Sequence, residues 1–467
     1  MKKRKFWYVP FVLLCVASMA AFVQIPTSAD NLDKLNSGDI AWMLTATGLV
    51  LLMTPGLSYF YGGMVSKKNV ISTMLQSFIA MGVISVLWVI VGFSVAFGES
   101  IGGIIGNPMT YAFFRNVGAA PHALLSPTIP LLLFAMFQLK FAIITPALIT
   151  GSFAERVRFS SYMLFVVLFS LFIYAPLAHM TWHPDGFLRK LGVLDFAGGT
   201  VVHMSAGFAA LAGAVILGPR KSVLNKEKHQ PANIPYVILG TGLLWFGWFG
   251  FNAGSALAAN AIAVSAFATT NTASAAAALA WVFYDAMIGR KPSALGACVG
   301  AVVGLVAITP AAGYVSIGAS IFIGTFASVL SNVAVSLKSR TSVDDTLDVF
   351  PCHGLGGLFG MLATGAFATR VGLIAGETAT FLTHILASLL VMAFAFGGSW
   401  MLYKLTDLII PMRVQEEQEI IGLDASQHGE TTEGSNGFDH GPTNLAGKNV
   451  AMANTKNKSL IRSKPIC

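Results

Sequence analysis

Two aspartate–histidine pairs share one spacing, Asp195-x7-His203 and Asp345-x7-His353, and each opens a long apolar run rich in small residues. On an α-helix rising about 1.5 Å per residue, eight residues carry the imidazole about 12 Å from its aspartate, close to the middle of a bilayer core about 30 Å thick. Ionisable side chains at that depth are costly and mark a pathway or a paired site. A neutral imidazole offers one donor and one acceptor, so a facing pair can order a file of water and pass a proton by switching tautomers. The rival chemistry is haem ligation, but bis-histidine haem in a bundle usually comes as two pairs, and neither histidine has a second partner at helical spacing.

The elements that must position such a pair are membrane helices. The chain has 467 residues, of which 55% are hydrophobic and 11% charged, and a mean hydropathy of +0.70. Soluble proteins carry about 25% charged residues. Forty-seven glycines, with many alanines and serines, suit helices packed by small-residue faces. Cys15, Cys298, Cys352 and Cys467 show no paired spacing, so neither a zinc site nor a disulfide framework is expected, and no cofactor is called for.

Residues 1–29 have the layout of a secretory signal peptide: Lys2-Lys3-Arg4-Lys5, an apolar run from Phe6 to Val23, and a cleavage site at Thr27-Ser28-Ala29. An uncleaved first helix is the other reading. From Ile40 the apolar blocks centre near residues 50, 84, 135, 168, 208, 243, 272, 302, 324, 360 and 394, which predicts eleven spans in a domain over 30–409. With the mature N-terminus outside, Lys67, Lys68, Arg156, Arg158, the Arg220 to Lys228 cluster, Arg290, Lys291, Lys338 and Arg340 all fall in cytoplasmic loops. Arg115, Arg189, Lys190 and Arg370 fall outside. Topology therefore accounts for much of the net charge of +8, and nucleic-acid binding is not called for. The fifth and tenth spans share the Asp-x7-His pattern, which predicts an all-α integral membrane protein of two inverted five-helix halves plus one extra C-terminal helix. The ends of the first and sixth spans, Tyr59-Phe60-Tyr61-Gly62-Gly63 and Phe249-Gly250-Phe251-Asn252-Ala253-Gly254, echo each other weakly.

The segment Asp195-Phe196-Ala197-Gly198-Gly199-Thr200-Val201-Val202-His203-Met204-Ser205-Ala206-Gly207 closely resembles the signature of the ammonium transporter family, which includes the Rhesus proteins. Phe137-Gln138-x2-Phe141, Gly151-Ser152-Phe153-Ala154-Glu155-Arg156, Trp182, Gly247 to Ser255, and Asp344-Asp345 through His353-Gly354 agree with the family pattern in order. The resemblance implies a homotrimer with one narrow hydrophobic pore per subunit, taking up ammonium. Trp182 and Ser255 match its outer recruitment site, where an indole face and a hydroxyl hold the cation; cation–π attraction is worth up to about 2 kcal/mol when desolvated. Taken alone, Trp182 could equally be an interfacial belt residue, and the following His183-Pro184-Asp185 departs from the small residues usual there. Phe141 and Phe251 match two stacked rings that close the pore, with Phe137 one turn away in the same wall; among 34 phenylalanines, any one alone reads first as packing. His203 and His353 match the pore-lining twin histidines.

Asp195 carries two readings: a cap on the first turn of its helix, worth about 0.5–2 kcal/mol, and, by the resemblance, a group behind the recruitment site that shapes the field or assists deprotonation. Lys140 departs from the family, which more often has a small or neutral residue beside the gate. At about 100° from Phe141 it should face a helix or subunit interface; in the pore it would repel ammonium. His179 and His384 are expected to be structural.

After the last span, Arg413-Val414 and Glu416-Glu417-Gln418-Glu419 lead to Gly422, Leu423, Asp424, His428, Gly429 and Glu430. This stretch, 410–431, resembles the family's cytoplasmic regulatory region, which implies a PII-type signalling protein as partner. Residues 432–467 have the composition of a disordered tail. The expected activity is not enzymatic: ammonium is recruited, loses its proton at the gate, and crosses as ammonia past the histidines. An electroneutral channel for ammonia or carbon dioxide and an ammonium sensor acting through the C-terminal region are the other readings. A membrane enzyme is a poor match, because Tyr59 follows Gly56-Leu57-Ser58 where a small residue is needed.

Overall fold

The computed structural model describes residues 2–432, so the expected tail beyond Thr432 lies outside the described residues. Their helices are α1 (Lys2–Ser18), α2 (Ser37–Met64), α3 (Val70–Leu87, continued by a π turn Trp88–Gly92 and Phe93–Phe97) and α4 (Leu131–Phe153). Then come α5 (Phe159–Phe169, a π turn Ser170–Tyr174, Ala175–Trp182), α6 (a π turn Gly199–Met204, then Ser205–Leu217), α7 (Ile234–Ala253) and α8 (Ala261–Met287). Next are α9 (Ala294–Ile308), α10 (Ile317–Lys338), α11 (a π turn Phe350–Gly354, then Leu355–Phe367), α12 (Thr378–Ile409) and the short α13 (Glu416–Ile421), with single helical turns at Phe187–Lys190 and Lys221–Leu224 in the connections. Two small antiparallel pairs, Ser100–Ile101 with Ile105–Gly106 and Pro121–His122 with Ser126–Pro130, lie in the connection between α3 and α4.

Every span centre expected from hydropathy falls inside a helix, and among the described residues nine helices are long and apolar enough to cross a membrane. The chain is thus an all-helical, multi-pass membrane protein. α9 is shorter, at 15 residues, which is about 22 Å of rise. Pro310 follows it at once, and its last turns, Val303 to Ile308, are fully buried in the bundle. Near the vestibule described below, the carbonyls of Pro26 and Ser28 accept hydrogen bonds from the backbone N–H groups of Asn116 and Ala120, at 2.7 and 3.1 Å.

α6 and α11 cross antiparallel at the centre of the molecule. Gly199 lies against Met361, His203 against Gly357, and Gly207 against Gly354. A Cβ on Gly207 would overlap the backbone of Gly354, so only glycine permits the approach. Both helices begin with a π turn rather than the regular α-helix the spacing predicts. The N–H of His203 reaches back five residues to the Gly198 carbonyl at 3.0 Å, and that of Leu355 to the Phe350 carbonyl. Such a turn rotates the residues that follow relative to an α-helix, and π turns recur at functional sites.

A buried ionic cluster closes the end of the bundle opposite the vestibule. Arg220 bonds Asp344 at 2.8 Å and Glu155 at 2.9 Å, and Arg156 donates to Thr346 Oγ1 at 2.7 Å and to the carbonyl of Ser152 at 3.1 Å. Burial alone would raise the Asp344 carboxyl, but the Arg220 hydrogen bonds and the charge of Arg156 hold it at about 2. The chain after α12 docks onto this end. Arg413 donates to the carbonyls of Leu217 and Pro219 and pairs with Glu419, each at 2.8 Å.

Removing one partner of a buried pair leaves an uncompensated charge, so Asp344→Asn should lower stability by about 3 kcal/mol at neutral pH. Because the folded carboxyl titrates below its unfolded value near 3.9, its contribution is complete above that value and fades as pH falls towards about 2. Melting temperatures in detergent across that range should therefore converge for the two proteins; a gap independent of pH would refute the ionic account.

Candidate conduction path

A vestibule of about 220 Å³ opens at the end of α5, lined by Phe141, Trp182, Asp195 and Ser255, with Gln138 and Tyr314 beside them. Trp182 is held by its indole N–H, which donates to the Asp195 carbonyl at 3.1 Å. Ser255 ends the α7 segment and donates its hydroxyl proton to the Phe251 carbonyl at 2.8 Å. That commitment leaves only the oxygen lone pairs of Ser255, which can accept. The departure at His183-Pro184-Asp185 is absorbed in a turn: the Asp185 N–H donates to His183 Nδ1 at 3.0 Å, His183 stacks on His179 at 4.4 Å, and Asp185 pairs with Lys190 at the surface. Trp182 keeps its place in the wall.

Below the vestibule the path is filled by rings. Phe141 meets the Trp182 indole edge-on at 5.7 Å and lies over Phe251 at 4.2 Å with the planes 33° apart. Phe137 packs against Phe141 at 4.9 Å. Phe251 then stacks on His203 at 6.1 Å, and the His203 and His353 rings follow at 5.5 Å, their Nδ1 atoms 3.4 Å apart. In that geometry one Nδ1 carries the proton and the other accepts. The column from Trp182 through Phe141 and Phe251 to the two imidazoles is unbroken, and both histidines are buried.

Asp195 is a complete cap. Its Oδ1 accepts from the N–H groups of Gly198 and Gly199, both at 2.7 Å, and its Oδ2 from the Thr200 N–H at 2.8 Å and the Thr200 hydroxyl. The turn depends on Gly198, whose φ of +123° is open to glycine alone. With four bonds the carboxylate has no lone pair left over for a ligand in the vestibule it borders, and its backbone carbonyl holds the Trp182 indole.

Three residues of this path lay outside the predicted set. Trp248 stacks on His203 at 5.5 Å and 19°, its indole N–H bonded to Thr309 at 2.9 Å. Gln138 and Tyr314 line the vestibule. Trp248 and Gln138 sit inside blocks already noted in the sequence, one turn from Phe251 and Phe141, and helical phase alone could have placed them. Lys140 is buried, does not line the vestibule, and among the described residues makes no ion pair or hydrogen bond. His179 is bonded to the Ala96 carbonyl and the Ser100 hydroxyl, and His384 to the Thr380 carbonyl and the Leu194 backbone.

At the opposite end, Gly422 turns with φ +105° against Lys68, and the Leu423 N–H donates to Asn69 Oδ1 at 2.7 Å. Asp424 caps α3, accepting from Ser72 and Ile71 at 2.7 and 3.0 Å. His428 sits edge-on to Phe159 at 5.1 Å, Gly429 has φ +71°, and the Glu430 N–H returns to the Asp424 carbonyl. These six residues are therefore brought together on the loops that precede α3 and α5, far from the vestibule along the chain's own helices.

The sequence model of the Ammonium Transporter Family matches residues 41–433. An ammonium transporter of Bacillus subtilis (strain 168) is 45% identical over 404 residues, covering 85% of this chain and 98% of that protein. An ammonium transporter of Aquifex aeolicus (strain VF5) is 46% identical over 404 residues, covering 85% and 93%. Among solved structures, Saccharomyces cerevisiae Mep2 superposes with a TM-score of 0.78 at 33% identity, covering 83% of this chain and 90% of that one. A structure described as a sensor Amt protein superposes with a TM-score of 0.77 at 29% identity, covering 84% and 98%. The chain belongs to the ammonium transporter family.

Proposed function

We propose that the protein takes up ammonium by recruiting the cation at Trp182 and Ser255, splitting off its proton above the Phe141–Phe251 gate, and passing ammonia along His203 and His353. The observation that carries this reading is the closed column of rings between vestibule and imidazoles. Two rings 4.2 Å apart leave no room for a hydrated cation, and stripping water from an ion in an apolar path costs far more than moving a neutral molecule. Deprotonation avoids that cost. The proton follows separately through the histidine pair, so the cycle moves charge. Phe137 and Asp195 support the site, the first as gate wall, the second as the cap that holds α6 and Trp182.

The same reading takes α9 and α11 as spans beside the nine long helices, which gives two inverted halves of five followed by α12. The vestibule then faces outward and the ionic end lies in the cytoplasm, in the plasma (inner) membrane, with residues 1–29 removed as a signal peptide. We propose a homotrimer as the working unit. Gly422, Leu423, Asp424, His428, Gly429 and Glu430 form a regulatory surface for a PII-type signalling protein. The likeness to the sensor Amt structure favours signalling as the second reading; it would need ammonium binding with little flux.

The deciding experiment is the current evoked by an ammonium pulse on liposomes adsorbed to a solid support. Wild type should give a sustained current, and Trp182→Leu and His203→Ala should each lose at least about 90% of it, in keeping with removal of a cation–π contact and of a proton-passing group. Absence of current from wild-type vesicles that still alkalinise in ammonia would establish the electroneutral channel. Asp195→Ala strips four acceptor bonds from buried groups and should cost about 2–4 kcal/mol together with transport; a variant that melts and transports like wild type would remove both roles from Asp195.

A further inference from the structure

The two mirrored aspartates are not equivalent. Asp195 gives every lone pair to the first turn of α6. Asp345, in the same place before His353, uses one oxygen: its Oδ2 accepts from the Phe350 N–H at 2.7 Å, while its Oδ1 is buried with no hydrogen-bond partner among the described residues. The residue is 0% exposed, and an orphaned carboxylate oxygen in such a place calls for a role.

Its surroundings supply one. At the end of α10, Lys338 donates to the backbone carbonyl of Asp345 at 2.6 Å but gives its ion pair to Asp348, at 2.7 Å. Asp344 is already tied to Arg220. From the other packed elements, Tyr61 of α2, Tyr403 of α12, Cys352 of the π turn and Arg156 beyond α4 all feel the charge of Asp345. Two of them carry orphaned buried atoms of their own, Tyr403 Oη and Arg156 Nε. Three orphaned polar atoms on three elements thus lie within electrostatic reach of one another, and each is a group an internal water could partner. Burial, helped by Asp348 and opposed by Lys338, raises the Asp345 carboxyl to about 6. An acid in that range can both take and yield a proton near neutral pH.

We infer that Asp345 is the proton-holding residue at the inner end of the path: its free Oδ1 takes up the proton left when ammonium is split at the gate and returns it on the cytoplasmic side. Outside, ammonium gives ammonia and a proton. The proton passes the histidine pair and, by water across the eight residues from His353, converts the Asp345 carboxylate to the acid. Release to cytoplasmic water restores the carboxylate, and ammonia there regains its proton, so one ammonium and one charge cross and no electrons move. This rests on the charge-moving form of the proposed function.

The test is the ammonium-evoked current on supported liposomes as the internal pH is stepped from about 7.5 to about 5, for wild type, Asp345→Asn and Tyr403→Phe. Wild-type current should fall as internal pH drops through about 6, because the acid can no longer discharge. Asp345→Asn keeps an acceptor for the Phe350 N–H but holds no exchangeable proton; its current should drop at least about tenfold and lose this pH dependence. Tyr403→Phe leaves the cap untouched and should shift the midpoint, which keeps the inference testable if the first variant does not fold. A folded Asp345→Asn protein with wild-type current and pH profile would overturn it, as would an unmoved midpoint in Tyr403→Phe. No current from wild type would instead sink the charge-moving reading, and the inference with it.

Discussion

The structure depends on one backbone crossing. Where α6 and α11 meet, Gly207 and Gly354 bring the two chains so close that no side chain fits between them. Everything functional is referred to that point. Each helix carries its histidine within about one turn of the crossing, and the antiparallel direction lets His203 and His353 face each other from opposite sides of the path. A membrane interior offers little hydrophobic drive for helices to associate, so close contact between small faces must supply the attraction. A larger residue at Gly207 would part the helices and the imidazoles together.

Much of this was legible in the residues. The repeated aspartate–histidine spacing announced two equivalent helices, hydropathy located the long apolar helices, and the blocks around Phe141, Trp182 and Phe251 pointed at rings that the fold stacks into one column. What stayed hidden was set by tertiary contact. Nothing in Gly199 to Met204 or Phe350 to Gly354 distinguishes a π turn from an α turn; the choice follows from fitting Asp195 and Asp345 to their backbone N–H groups while holding the crossing in register. Trp248 looked like one of many aromatic residues on α7 until His203 was found lying on it. The spacing also made Asp195 and Asp345 look alike, whereas their hydrogen bonding separates them: five residues on, Thr200 supplies both its N–H and its hydroxyl to Asp195, while Phe350 supplies only its N–H to Asp345.

The ionic end ties the path to the chain's last described segment. Asp344 belongs to the Arg220 and Arg156 cluster, and its neighbour Asp345 starts the helix of His353. Arg413 reaches the carbonyls of Leu217 and Pro219 at the end of α6, next to Arg220, while Glu419 receives the Lys221 N–H. The segment from Arg413 to Glu430 is therefore bonded to the end of the His203 helix and, through the Arg156 carbonyl that accepts the Val414 N–H, linked to the cluster that holds Asp344. A pull on that segment would be felt at Asp344 through the Arg156 and Arg220 charges bonded to it, and such networks respond as a unit rather than bond by bond.

The Phe141–Phe251 pair has a consequence for how the protein keeps time. Rings stacked at 4.2 Å occlude the path as it stands, so in the proposed uptake the molecule acts as a valve rather than a tube, and each crossing would wait for a phenyl ring to swing. Ring and rotamer motions of packed side chains are local events that need no rearrangement of helices. On that proposal throughput would be set by the crowding around two side chains, and cooling or stiffening that small neighbourhood would slow the protein while its helices stood still.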